Sequence, residues 1–217
     1  MRLIGMLDSP YVRRVAISLG FMNIPFTHEP LSVFRHFDAF AEINPVVKAP
    51  TLVTDDGVAL MDSSLILDYL GRLAAPERSL TPRDTSQNAR AQRIVGLALA
   101  ACEKTVQTIY EHNLRPTEKQ HRPWTDRIGG QLLAAYRLLE AEISSGEAWL
   151  FGTRPLQADI TAAVAWRFTQ DDFADVVRRE DYPALARFSA CAEALPEFTS
   201  WPFDAVSATG MNAAPIR

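Results

Sequence analysis

Two cysteines in 217 residues, Cys102 and Cys191, stand far apart and form no CxxC pair. That excludes a disulfide framework and fits a reducing compartment, so the cytoplasm is the expected location. Four histidines (His28, His36, His112 and His121) show no metal-ligand spacing, and no metal is expected. A basic surplus is missing too. The formal net charge is -4, which leaves no electrostatic footprint for nucleic acid. No apolar run approaches the length of a membrane span. Arg2, Asp8, Arg13 and Arg14 interrupt the first stretch, which does not read as a secretory leader. Walker loop, GxGxxG and GxSxG are absent, so several common enzyme classes lose their sequence support.

The chain does have ordinary globular composition, 47% hydrophobic and 22% charged, and enough length to bury one large core or two modest ones. Its first 75 residues carry short β-like runs between turn signals. Arg2–Leu7 reads as a strand and Pro10–Phe21 as a helix, with Ser9 as N-cap and Pro10 at the first helical position. Phe26–Glu29 is a second strand, and Val33–Glu42 a short or irregular helix ending before the turn signal Asn44-Pro45. Thr51–Thr54 and Val58–Met61 form a hairpin across Asp55-Asp56-Gly57. Ser63–Leu73 is a helix with Leu65, Ile66, Tyr69, Leu70 and Leu73 on one broad face, capped by Asp62 or Ser63. The order is β-α-β-α-β-β-α.

Residues 76–86 are a polar, Pro-containing linker, and 87–203 read as an all-helical domain. Its helices are Gln87–Leu114, Trp124–Ile143, the Ala-rich Gln157–Phe173 and Tyr182–Leu195. The tail, 204–217, has no clear period and is either loosely ordered or draped on the surface.

Three stretches give this order a family likeness. They are "SPYVRRVAISL" after the first strand, "NPVVKAPTLV", and "ALMDSSLILDYL" at residues 59–70. Together, and in this order, they make the chain resemble the soluble, serine-type, bacterial-like glutathione S-transferases over all but its last dozen residues. The resemblance implies a thioredoxin-like N-terminal domain and an all-α C-terminal helical bundle. It implies glutathione as co-substrate, a small hydrophobic electrophile in the cleft between domains, and a homodimer of the detoxification type. Non-enzymatic interaction modules share the same fold, and so do glutathione-dependent peroxidases, isomerases and ether-cleaving enzymes.

The resemblance also assigns roles residue by residue. Ala49–Pro50 falls at the family's cis-proline, where the backbone N–H and C=O of Ala49 pair with the cysteinyl backbone of glutathione as an added strand. Asp62 and Ser63 fall at the start of the glutamyl-binding helix, Ser63 for the α-carboxylate and Asp62 for the ammonium. Asp62 stands where the family more often has Glu. Lys48 and His36 are candidates for the glycyl carboxylate. Val46-Val47 replaces a pair that is often small or Gly-containing.

Ser9 has two possible tasks. As a cap its oxygen accepts an N–H from the first helical turn; as a catalyst its hydroxyl donates to the glutathione sulfur and lowers the thiol pKa. A hydroxyl can accept one bond and donate another, so the tasks are compatible. Tyr11 is the alternative hydroxyl. Asp159, in the first turn of the Ala-rich helix, reads as structural. The family's Ser or Thr three residues earlier is Leu156 here, so the reciprocal cap is either lost or rebuilt by Thr153. Tyr110, His112, Trp166 and Phe168 read as core before they read as substrate contacts.

Overall fold

The structure, a computed structural model, describes residues 1–144 and 148–204. The chain divides into two compact units, Met1–Leu80 joined by the segment from Pro196, and Thr81–Leu195. Among the described residues no helix is long and apolar enough to cross a membrane.

The first unit runs β1 (Arg2–Ile4), α1 (Pro10–Met22), β2 (Thr27–Glu29), α2 (Phe37–Ile43), β3 (Thr51–Val53), β4 (Ala59–Met61) and α3 (Ser63–Leu73). The sheet order is β2-β1-β3-β4, with β1 parallel to β2 and antiparallel to β3, and β3 antiparallel to β4. Leu3, Ile4 and Leu52 of the sheet, Val12, Val15 and Leu19 of α1, and Ile66 and Leu70 of α3 are fully buried and form the core. The strands are shorter than the apolar runs suggest because β1 ends at Gly5, whose φ of 138° interrupts it. The α3 stripe is narrower than the broad face expected from the sequence. Ile66, Leu67 and Leu70 are buried, whereas Leu65 is 67% and Leu73 51% exposed.

A further correction concerns the described residues from Pro196 onward, which belong to the first unit and not to the helical domain drawn through residue 203. Helix α1 holds it there. The fully buried Phe198, in the short helix α8 (Pro196–Thr199), meets Phe21 edge-on at 6.4 Å, with the Arg13 guanidinium 5.7 Å from its ring centre. Arg13 Nε donates to the Trp201 carbonyl at 2.9 Å, and the Trp201 ring packs on Phe26. The tail beyond residue 204 lies outside the described residues.

The second unit packs α4 (Thr85–Leu114) against α5 (Arg122–Ile143) and α6 (Gln157–Asp172), and α6 against α7 (Pro183–Glu193). Trp166 and Phe168 are buried core, while Tyr110 and His112 are exposed. A polar knot ties three helices together. The Tyr136 hydroxyl donates within reach of Thr169 Oγ1 (2.6 Å) and the Ala165 carbonyl (2.9 Å), and Thr169 Oγ1 lies 2.8 Å from Thr105 Oγ1. Burial pushes the Tyr136 phenol well above its ordinary pKa, so it stays neutral. Tyr136→Phe should lower unfolding stability by about 1–2 kcal/mol, read by urea denaturation, because Thr169 keeps its Thr105 partner.

Asp159 anchors α6. It is fully buried; Oδ2 accepts the Leu156 N–H at 2.9 Å and Oδ1 the Leu150 N–H at 2.8 Å. Leu156 has no side-chain acceptor, so the cap is one-sided, and the second carboxylate oxygen goes to Leu150. Burial raises the Asp159 pKa to about 6, against the downward pull of these N–H donors. The unfolded value is near 3.9, so between the two values the folded state holds more proton and its stability falls as pH rises. Asp159→Asn removes that slope. Its stability deficit against the parent should therefore be larger near pH 4 than near pH 7, by at most about 3 kcal/mol in thermal unfolding at the two pH values.

Candidate functional site

The sheet register gathers the predicted segments at one end. Ile4 pairs with Thr51, and Thr51 with Met61. The chain leaving β1, the chain entering β3 and the chain leaving β4 therefore meet at the same edge. Gly5 confirms the approach: a Cβ there would sit 3.1 Å from Ala49 Cβ and 2.5 Å from Val12 Cγ2.

Ser9 is the N-cap of α1, in extended backbone (φ -69°, ψ 119°), with Pro10 next in the first helical position. Its Oγ accepts the Val12 N–H at 3.4 Å, a long bond. Among the described residues the Ser9 hydroxyl hydrogen has no acceptor, so the side chain is half-used.

Ala49–Pro50 is a cis peptide bond. Among the described residues the N–H and C=O of Ala49 have no hydrogen-bond partner. The loop before them follows a path that the sequence left open, and buried Asn44 sets it. Its Oδ1 accepts the Val46 N–H (3.1 Å), its carbonyl the Val47 N–H (2.8 Å), and its Nδ2 donates to Thr51 Oγ1 (2.8 Å). Thr51 Oγ1 in turn donates to the Lys48 carbonyl at 2.8 Å. Val47 is held at φ 51°, a region costly for a β-branched residue, which accounts for the small or Gly-containing pair that the resemblance leads one to expect here.

Of the two alternatives for capping α3, Asp62 is the N-cap and Ser63 the first helical residue. Asp62 Oδ1 accepts the Ser64 N–H at 2.8 Å, with Asp62 at φ 62°. Such an outlier costs about 1–3 kcal/mol and clusters at functional sites. Ser63 is buried, and its Oγ accepts from Arg14 Nη1 at 3.1 Å.

Lys48 is exposed at the edge of this cluster by chain position alone. Among the described residues no hydrogen bond draws His36 into it. It stands at the N-cap of α2, where Nδ1 accepts the Ser32 N–H at 3.0 Å, leaving Nε2 as the protonated nitrogen. Sequence reasoning missed Arg14, Asn44 and Gly5. Only Gly5, between an apolar strand and a helix cap, carried a local signal. Among the described residues no three His, Cys, Asp or Glu side chains come together as a metal site.

Comparison with known proteins gives the family. The family models described as "Glutathione S-transferase, N-terminal domain" and "Glutathione S-transferase, C-terminal domain" match residues 3–78 and 122–191. The Escherichia coli "Uncharacterized GST-like protein YibF" is 31% identical over 151 residues, 69% of this chain and 70% of that protein. The chain belongs to the glutathione S-transferase family. Another relative is the maleylacetoacetate isomerase of Pseudomonas aeruginosa, 27% identical over 193 residues, 85% of this chain and 87% of that one. Among solved structures of the family, a glutathione S-transferase of Methylobacterium radiotolerans in complex with glutathione sulfonate is similar at TM-score 0.84 and 28% identity, covering 92% of each chain.

Proposed function

We propose that this glutathione S-transferase homologue binds glutathione at the strand end described above, holds its sulfur as a thiolate with Ser9, and adds it to a small hydrophobic electrophile. The observation that carries this reading is the pairing of two unused hydrogen-bonding resources: the Ser9 hydroxyl hydrogen and the Ala49 backbone. An extended tripeptide laid beside Ala49 supplies an acceptor for its N–H and a donor for its carbonyl, and brings a thiol to the helix end that Ser9 caps. Ser63 and the free N–H groups of α3 suit an α-carboxylate; the remaining oxygen of Asp62 suits an ammonium. Lys48 and His36 Nε2 are assigned to the second carboxylate. Catalysis then consists of positioning and pKa tuning.

The relative named as an isomerase supports a second reading of the same thiolate. Addition to a cis alkene makes the bond single; rotation and elimination return glutathione and the trans product. The two are separated by stoichiometry: conjugation consumes one thiol per product, and isomerisation consumes none. The test is thermal unfolding with millimolar glutathione, followed by turnover of a chloronitrobenzene and of a cis-enone diacid with thiol titration. A stabilised protein that turns over neither would favour an interaction module; no stabilisation at all would remove the glutathione reading.

The same reading places the protein in the cytoplasm as a homodimer. Exposed apolar side chains at the edge strand and on α3, Met61 and Leu65 among them, are what a second copy would cover. Light scattering giving a clean monomer would overturn that assignment.

A further inference from the structure

Arg14 carries a charge into the interior. It is 2% exposed, in the second turn of α1, yet its Nη1 reaches the first turn of α3 and donates to Ser63 Oγ (3.1 Å) and Ser64 Oγ (3.3 Å). A buried guanidinium is costly, and an apolar side chain of similar length would fill the same space without that cost. The bond to Ser63 has a directional consequence. A hydroxyl has one hydrogen and two lone pairs. Arg14 occupies a lone pair, so the Ser63 hydrogen must point away from Arg14, and among the described residues it meets no acceptor. Accepting from a cation also polarises the hydroxyl and makes it a stronger donor.

We infer that Arg14 is a positioning residue that turns and polarises the Ser63 hydroxyl toward the α-carboxylate of the bound ligand. The inference rests on the glutathione reading above and deepens it. Arg14 does not touch the carboxylate; it acts through Ser63, and its positive charge behind the N-terminus of α3 adds to the field that favours an anion there.

The experiment measures, by calorimetry, affinity for two ligands: glutathione, and γ-aminobutyryl-cysteinyl-glycine, which keeps the amino group and differs only in lacking the α-carboxylate. The proteins are the parent, Arg14→Met, Arg14→Lys, Ser63→Ala and the Arg14→Met/Ser63→Ala double variant. Arg14→Met is expected to weaken glutathione by about ten-fold or more and to leave the truncated ligand within about two-fold of the parent. Its effect should largely vanish on the Ser63→Ala background, because the two residues act in series. Arg14→Lys keeps the charge but reaches Ser63 with one ammonium in place of a planar fork, and should fall between. Equal losses for both ligands, or additive losses in the double variant, would overturn the assignment and leave Arg14 structural. If Arg14→Met does not fold, Arg14→Lys decides: an undiminished preference for the full ligand would overturn the assignment. A parent that binds neither ligand would overturn the glutathione reading and this inference with it, whereas a binding parent with unselective losses overturns this inference alone.

Discussion

Replacing Ser9 by alanine is expected to raise the pKa of the bound glutathione thiol by about one to two units and, through the smaller thiolate fraction, to slow conjugation near pH 7 by about 3–25-fold. A free thiol titrates near 8.5, and bringing it two units lower takes about 2.7 kcal/mol of preference for the thiolate. One hydrogen bond to a charged group contributes about 1.5–3 kcal/mol. A helix N-terminus adds about 0.3–1 kcal/mol, so the hydroxyl is the larger part. The folding cost should be small by comparison. Loss of an N-cap typically costs about 1 kcal/mol, and the Ser9–Val12 bond, at 3.4 Å, is a weak example. The ultraviolet absorbance of the thiolate, followed against pH with glutathione bound, reads the effect directly. If glutathione binds and the titration does not move, Ser9 is a cap only and another donor activates the sulfur. Ser9→Thr, which restores a hydroxyl, should recover most of the shift.

Gly5→Ala should be the most destabilising single-methyl change in the first unit, by about 2–5 kcal/mol in urea denaturation. Alanine normally gains about 0.4–1 kcal/mol over glycine by restricting the unfolded chain. Here the native side decides the sign. At φ 138° an L-residue is strained, and the new Cβ would lie 2.5 Å from Val12 Cγ2, on a side chain that is fully buried. Nor can the peptide swing aside freely. The Gly5 N–H donates to the Glu29 carbonyl at 3.0 Å, and His28 Nε2 donates to the Gly5 carbonyl at 2.8 Å. The strain should spread to Ala49, 3.1 Å from the same Cβ, so ligand affinity should fall along with stability. A loss below about 1 kcal/mol would show that the β1–α1 connection relaxes at little cost.

The helix α3 shows how far local pattern reaches. Its limits, Ser63–Leu73, are those that the sequence indicates, because a cap and a periodic apolar run are both local signals. Its inward face is not, since Leu65 sits about 100° around the helix from Ile66 and only the packing partner decides which of the two is covered. The site divides in the same way. Ser9 and the Asp62-Ser63 pair announce themselves by local cap signals, and Ala49–Pro50 by the family likeness of its stretch. Arg14 looks like one more charge on a short helix, and its meaning depends on Ser63, 49 residues away. Asn44 is equally silent, because its partners span a loop, a strand and the end of the hairpin. Helix α8, four residues long, is too short to show a period.

The return of Phe198 and Trp201 to helix α1 bears on how the protein is made. The unit that starts the chain is not finished when its own sheet has been synthesised. It waits for the ribosome to deliver the whole helical unit and a few residues more. Until then the Phe21 and Arg13 surface that Phe198 covers stands open in the nascent chain. A fragment stopped at Leu80 should melt lower than the same fragment supplied with a peptide of residues 194–204. Premature termination between Thr81 and Leu195 would leave not one damaged unit but two.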